Sequence, residues 1–213
     1  MTKSSQNKFK IAVDLDGTII DSSKRHLYVL NDALKELKQS INTDDYLEYK
    51  RNGNSTFFYL LNKGFDETLA KTITSRWTEL IENENYLKYD ELYSDSVKFL
   101  EKNFTNFDLI LITARNNKNG TLFLLDKLNI SKYFKHIFIV PTGANAGDTK
   151  AKTLKSYNPI AIIGDSEVDY NTAKKLDITF YTLHRGFRNK DFWIKKRLKN
   201  TYESLLEINL TKL

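Results

Sequence analysis

Five short runs, FKIAVDL, FDLILIT, HIFIV, PIAIIGD and ITFYTL, are almost unbroken in apolar, β-branched and aromatic residues. A strand with one wet face alternates apolar and polar residues. A strand covered on both faces does not, and that is the signature of parallel sheets flanked by helices. Helical spacing fills the gaps. GTLFLLDKLNI follows the second run, TKAKTLKSY the third, and SEVDYNTAKKLDI the fourth, the last placing Val168, Thr172, Ala173 and Leu176 on one face. Strands alternating with helices predict an α/β fold, a doubly wound Rossmann-like parallel sheet.

One stretch interrupts the alternation. From residue 22 to 90 no run reads as a strand, whereas Leu27, Leu30, Leu34 and Leu37 form one helical stripe and Leu69, Ile73, Trp77, Leu80 and Ile81 another. The second stripe is entered through the acidic segment DET, as the positive end of a helix favours. The expected organisation is an α/β core from residues 1–21 and 91–213, with an all-helical insertion at 22–90. A chain of 213 residues is long enough for one domain carrying a smaller one.

Composition narrows the setting. There is no cysteine, so disulfides are excluded and a reducing compartment fits. The first residues, MTKSSQNKFK, are polar and the apolar run after them is too short for a signal segment or a membrane span, so a cytoplasmic protein with no membrane partner is expected. The net charge of +6 is spread along the chain, with one cluster, RNKDFWIKKRLKN, that reads as a solvated helix face rather than a nucleic-acid site. A modest positive field favours small anionic substrates. No signal for an oligomeric state is present.

Open α/β sheets carry their sites beyond the carboxyl ends of the strands. The first strand there ends in DLDGT, the second in LITAR and the fourth in IIGDSEVD, and the lysine-rich GDTKAKTLK lies between the third and fourth. Asp14 and Asp16, at i and i+2, project together if strand geometry persists that far. Two like charges held together need a cation or a shared proton, although the same residues could also simply end a strand in an Asp-Gly turn. Asp14 and Asp165 could share a hard cation, for which Mg²⁺ is suited because it takes oxygen ligands and keeps several waters. Thr113 offers a hydroxyl, the amides around Thr113 and Ala114 can face an anion, and Lys150 or Lys152 adds a compact positive charge. This set can hold a phosphoryl group beside a carboxylate. Asp14 would then be the nucleophile and Asp16 the acid/base, with the metal, lysine and threonine neutralising the transferring group.

With DLDGT, LITAR, a lysine in TKAKTLK and GDSEVD in this order, the chain resembles the haloacid dehalogenase superfamily of phosphohydrolases over most of its length. The resemblance implies that Asp14 is both nucleophile and metal ligand, that Asp16 is acid/base and lends its carbonyl to Mg²⁺, and that Asp165 completes the protein ligands. Asp169 would stand behind them, orienting metal-bound water or the lysine. Lys150 has the better spacing for that lysine, with Lys152 the alternative. An acid at position 16 marks the phosphate-handling members rather than the dehalogenases, and the insertion resembles their small helical cap. His26, in DSSKRH, resembles a hinge histidine that meets the acid/base when such a cap closes; Arg115 either touches substrate or caps a carbonyl. The implied partner is a small phosphorylated metabolite, hydrolysed as a phosphomonoester. A phosphomutase acting on a sugar phosphate, or a regulatory protein on the same fold, would be built from similar residues.

Overall fold

A computed structural model describes residues 8–198 and 200–212. Its main sheet contains β1 (Lys10–Val13), β4 (Asp108–Ala114), β5 (His136–Val140), β6 (Ala161–Gly164), β7 (Thr179–Leu183) and β8 (Thr201–Tyr202), in the order β5-β4-β1-β6-β7-β8 and parallel throughout. The chain winds outward from β1 to β5, returns, and winds outward again from β6. β1 is therefore central, and the crossing point beside it is where such sheets place their sites. All five expected strands are present. The sixth, β8, is only two residues long, too short for periodicity to reveal.

Helices cover both faces, as the unbroken apolar runs require. Ile11, Val13, Leu109, Leu111 and Ile163 face a core shared with α6 (Ser96–Asn103) and α7 (Lys118–Lys127). Ala12, Ile110, Ile112 and Ile162 face the other way, towards α8 (Ala146–Leu154) and α9 (Glu167–Leu176). On α9 the expected stripe faces the core through Thr172, Ala173 and Leu176, but at its first turn Asp169 is buried and Val168 only half-buried. A carboxylate thereby enters the interior.

Between Ser23 and Leu87 lie five helices: α1 (Ser23–Glu36), α2 (Tyr46–Arg51), α3 (Thr56–Asn62), α4 (Glu67–Leu80) and α5 (Glu84–Leu87). They bury their own cluster, including Val29, Leu30, Leu34, Tyr46, Tyr59, Leu60, Ile73 and Leu80, drawn entirely from this segment. α4 starts as its acidic entry predicts, Asp66 accepting a hydrogen bond from the Leu69 amide at 2.9 Å. The leucine stripe on α1 faces this cluster, and the buried face is wider than the stripe. Arg25, Val29 and Ala33 share its buried face with Leu30 and Leu34, and Leu27 and Leu37 are half-buried. The two chain passages joining this segment to the sheet pair as an antiparallel ribbon, β2 (Ile20–Asp21) with β3 (Glu91–Leu92). Among the described residues, no helix is long and apolar enough to cross a membrane.

The basic cluster near the C-terminus is helical at α10 (Lys190–Lys195), but it is not solvated all round. Trp193 is fully buried and rests on Phe180 and Tyr170 while the lysines face outward. A six-residue amphipathic turn satisfies both requirements.

Candidate active site

Strand geometry stops at Val13, one residue before the first aspartate. The Asp14 amide still bonds to the Ile163 carbonyl at 2.9 Å, extending the ladder by one step, after which the chain folds into a tight loop. The Leu15 carbonyl accepts from the amides of Ile19 and Ile20 at 2.9 and 3.0 Å, and Gly17 takes a φ of +72°. Glycine is required there for a second reason: a Cβ would stand 2.1 Å from Asp165 Oδ2. Asp14 and Asp16 are thus presented by a loop, not by two positions of one strand face.

The two carboxylates also do not share a cation. Lys150 Nζ donates to Asp14 Oδ1 at 2.6 Å and to Asp169 Oδ1 at 2.7 Å, and all three side chains are buried. Lys152, two residues on, is exposed on the outer side of α8. Asp169 is held on its other oxygen by the Ser166 hydroxyl at 2.7 Å, and Asp165 Oδ2 accepts from the Phe187 amide at 2.5 Å. The side chain of Asp169 packs against Gly164, where a Cβ would come within 2.4 Å. Thr113, 1 % exposed, and Ala114 end the neighbouring strand β4, and the Arg115 amide bonds to the Val140 carbonyl.

Asp16 belongs to a separate set of charges. Arg115 forks onto it, Nε to Oδ2 and Nη2 to Oδ1, both at 2.8 Å, and Arg25 Nη2 reaches Oδ1 at 2.5 Å. Each arginine also binds Asp90, Arg25 through Nε at 2.8 Å and Arg115 through Nη2 at 2.9 Å. Two guanidiniums and two carboxylates balance in a quartet that is buried except for the half-buried Asp16. Arg115 meets carboxylates here, not a main-chain carbonyl. His26, also expected near this point, has its ring between Trp77 and Phe187, with Nδ1 3.2 Å from Lys50 Nζ.

The electrostatics of the two sets differ. Burial and the repulsion of Asp169 raise the Asp14 carboxyl to about 7, Lys150 opposing them in part. Burial and the charges of Asp14 and Asp169 push Asp165 well above the usual carboxylate range. Burial acts on Asp16 as well, but Arg115 and Arg25 outweigh it and hold that carboxyl far below the ordinary value. Burial, with the charges of Lys50 and Arg25 nearby, lowers His26 well below the ordinary imidazole value.

Asp14, Asp165 and Asp169 bring oxygens within 4.8 Å of one another, close enough to hold a metal ion. When ionised they carry three negative charges against one lysine, and every donor is a hard oxygen. A small divalent cation suits that set.

Sequence reasoning did not single out Arg25, Asp90 or Lys50. For Arg25 a signal existed, since it lies four and eight residues before the buried Val29 and Ala33. Asp90 and Lys50 offer none, because their partners are distant in the chain.

Comparison with known proteins gives the same outline. A family model described as haloacid dehalogenase-like hydrolase matches residues 11–177. No curated protein matches the chain in sequence. Among solved structures, a haloacid dehalogenase-like family hydrolase from Streptococcus pneumoniae superposes with a TM-score of 0.75 at 17 % identity, over 94 % of this chain and 96 % of that one. One named as a predicted phosphatase from Clostridium acetobutylicum gives 0.73 at 18 %, over 95 % and 96 %. One named as a predicted phosphoglycolate phosphatase from Haemophilus somnus gives 0.72 at 16 %, over 99 % and 100 %. At these identities the likeness is one of fold.

Proposed function

Since the chain belongs to the haloacid dehalogenase-like hydrolase family, we propose that it hydrolyses a small phosphomonoester through an aspartyl-phosphate formed on Asp14. The observation that carries this reading is the pairing of Asp14 with Lys150 at the central strand end, while Asp16 stands two residues away on its own charges. A nucleophile and a separate acid/base are what phosphate ester cleavage requires; an alkoxide, unlike a halide, needs a proton as it leaves.

An oxygen of Asp14 attacks phosphorus and the bond to the ester oxygen breaks, that oxygen taking a proton from Asp16. Water then attacks the phosphorus of the acyl phosphate, Asp16 removes its proton, and inorganic phosphate and free Asp14 result. Lys150 and the Thr113 hydroxyl stabilise the charge on the transferring oxygens. Asp169 positions Lys150 through the 2.7 Å bond. As Asp16 stands, ionised between two arginines, it is poised as the base; to act as the acid it must first exchange one of those contacts and take up a proton.

Asp14 and Asp165, with the Asp16 carbonyl, would hold Mg²⁺, which would supply further positive charge at the phosphoryl group. Asp169 is near enough to join them. Residues 22–90 serve as a cap: they bury a core of their own, connect through two short passages, and contribute Arg25, which binds Asp16. Such a segment excludes water when it closes.

The test is phosphate release by the purified protein from sugar phosphates, nucleotides and phosphorylated acids, with Mg²⁺ and with chelator. Release that requires the metal is expected. Release that is unchanged by the chelator, or no release from any compound, would overturn the reading.

A further inference from the structure

We infer that Lys50 is a specificity-determining residue that binds an anionic group on the leaving half of the substrate. This rests on the phosphomonoesterase reading and extends it from the reacting group to the part of the substrate released.

The cations around Asp16 and the loop after β7 are committed to carboxylates. Arg25 and Arg115 bind Asp16 and Asp90, Lys150 binds Asp14 and Asp169, and Arg188 binds Glu167 at 2.6 Å. Lys50 differs. Its ammonium lies 4.7 Å from the centre of the Trp77 ring, 5.5 Å from Tyr46 and 5.6 Å from Phe187, and 3.2 Å from His26 Nδ1. Among the described residues, it has no carboxylate within ion-pair distance, and the nearest positive charges, Arg188 and Arg25, repel it. Burial and that repulsion lower it to about 7. A lysine on a flexible stem could relieve this by turning into water. Instead three aromatic rings and the His26 ring nitrogen hold it in place, partners that leave its charge open to an anion.

Its position relative to the chemistry is the second observation. A cavity of about 370 Å³ opens beside it, lined by Lys50, Asn54, Phe57 and Trp77 from the helical segment and by Ser166 and Phe187 from the α/β core. That volume is in the range of small-molecule sites. Ser166 follows Asp165 in the chain, and His26, which also lines the cavity, follows the Arg25 that binds Asp16. A phosphomonoester with its phosphorus at Asp14 and its ester oxygen at Asp16 would send its leaving half this way. A carboxylate or a second phosphate there would meet Lys50, while the aromatic walls cover its carbon skeleton. The substrate class is therefore a small phosphomonoester carrying a second anionic group.

Three substrates separate the sources of that anion: 3-phosphoglycerate offers a carboxylate, fructose 1,6-bisphosphate a second phosphate, and glycerol 3-phosphate neither. With Lys50→Met, which keeps the stem against the rings, KM for the preferred anionic substrate should rise about 10- to 100-fold, the usual range for losing one charged hydrogen bond. Its kcat, and both constants for glycerol 3-phosphate, should stay within about twofold. Lys50→Arg should recover most of the loss. An equal rise for all three substrates, or none for either anionic one, would overturn the inference. If the wild type releases phosphate from none of them, the phosphomonoesterase reading fails first; calorimetric titration of the two anionic compounds into wild type and Lys50→Met then decides the role of Lys50, and equal affinities refute it.

Discussion

Asp14 and Asp16 differ in partner more than in position, and substitution should expose the difference. Asp14→Asn keeps the shape and removes the proposed nucleophile, so turnover should fall by at least about 10³-fold. Its unfolding midpoint should change little, because Asp169 still holds the buried Lys150; steady-state rates and thermal melts on one preparation check both. Asp90→Asn should do the reverse at first sight, acting on stability. It leaves Arg25 and Arg115 buried with a single carboxylate between them, and breaking a buried pair costs about 3–5 kcal/mol. Urea titration measures it. A third outcome concerns pH. The folded-state pKa of Lys50 lies near 7, below that of the unfolded chain, so between pH 7 and the ordinary lysine range the unfolded state binds more protons. Stability should therefore rise with pH across that window, and Lys50→Met should flatten the rise. Of these residues, Asp14, Asp16, Lys150, Asp165 and Asp169 were legible from motif and spacing. Asp90 was not, since nothing local distinguishes a carboxylate destined for two distant arginines from one facing water.

At the scale of elements, helix ends and helix phase decide what the site contains. The acidic start of α4 was readable because capping is a contact between neighbours in the chain. Asp66→Ala should cost about 1 kcal/mol of stability and leave kcat unchanged, as read from denaturant midpoints and rates together. Phase was less readable. On α1 the evenly spaced leucines suggest one stripe, yet the observed face contains Arg25, Val29 and Ala33, because an arginine paired with Asp16 and Asp90 can be buried where apolarity alone would forbid it. On α9 the same exchange puts Asp169 inside and Val168 at the rim. In both helices the buried face also takes a charged side chain to the candidate site, and in both the compensating charge comes from another element.

For the whole molecule, the central strand gathers loops from both halves of the sheet, and three carboxylates meet where β1 and β6 end. Adding Mg²⁺ to chelator-treated protein should raise its melting temperature, by an amount equivalent to about 2.7 kcal/mol when the ion is at a hundred times its Kd. Asp165→Asn should abolish most of that gain, as a thermal-shift titration would show. The parallel order of the sheet, the helical character of residues 22–90 and the aspartates at the strand ends follow from the sequence alone, because periodicity, capping and strand-end chemistry act between residues close in the chain. The tertiary structure alone decided that Asp14 pairs with Lys150 while Asp16 pairs with Arg25 and Arg115, that Asp90 closes their quartet, and that Lys50 stands among rings with no carboxylate partner among the described residues. These depend on charges brought together from across the chain, where the cost of burial leaves a carboxylate or a cation only the partners that folding places within reach.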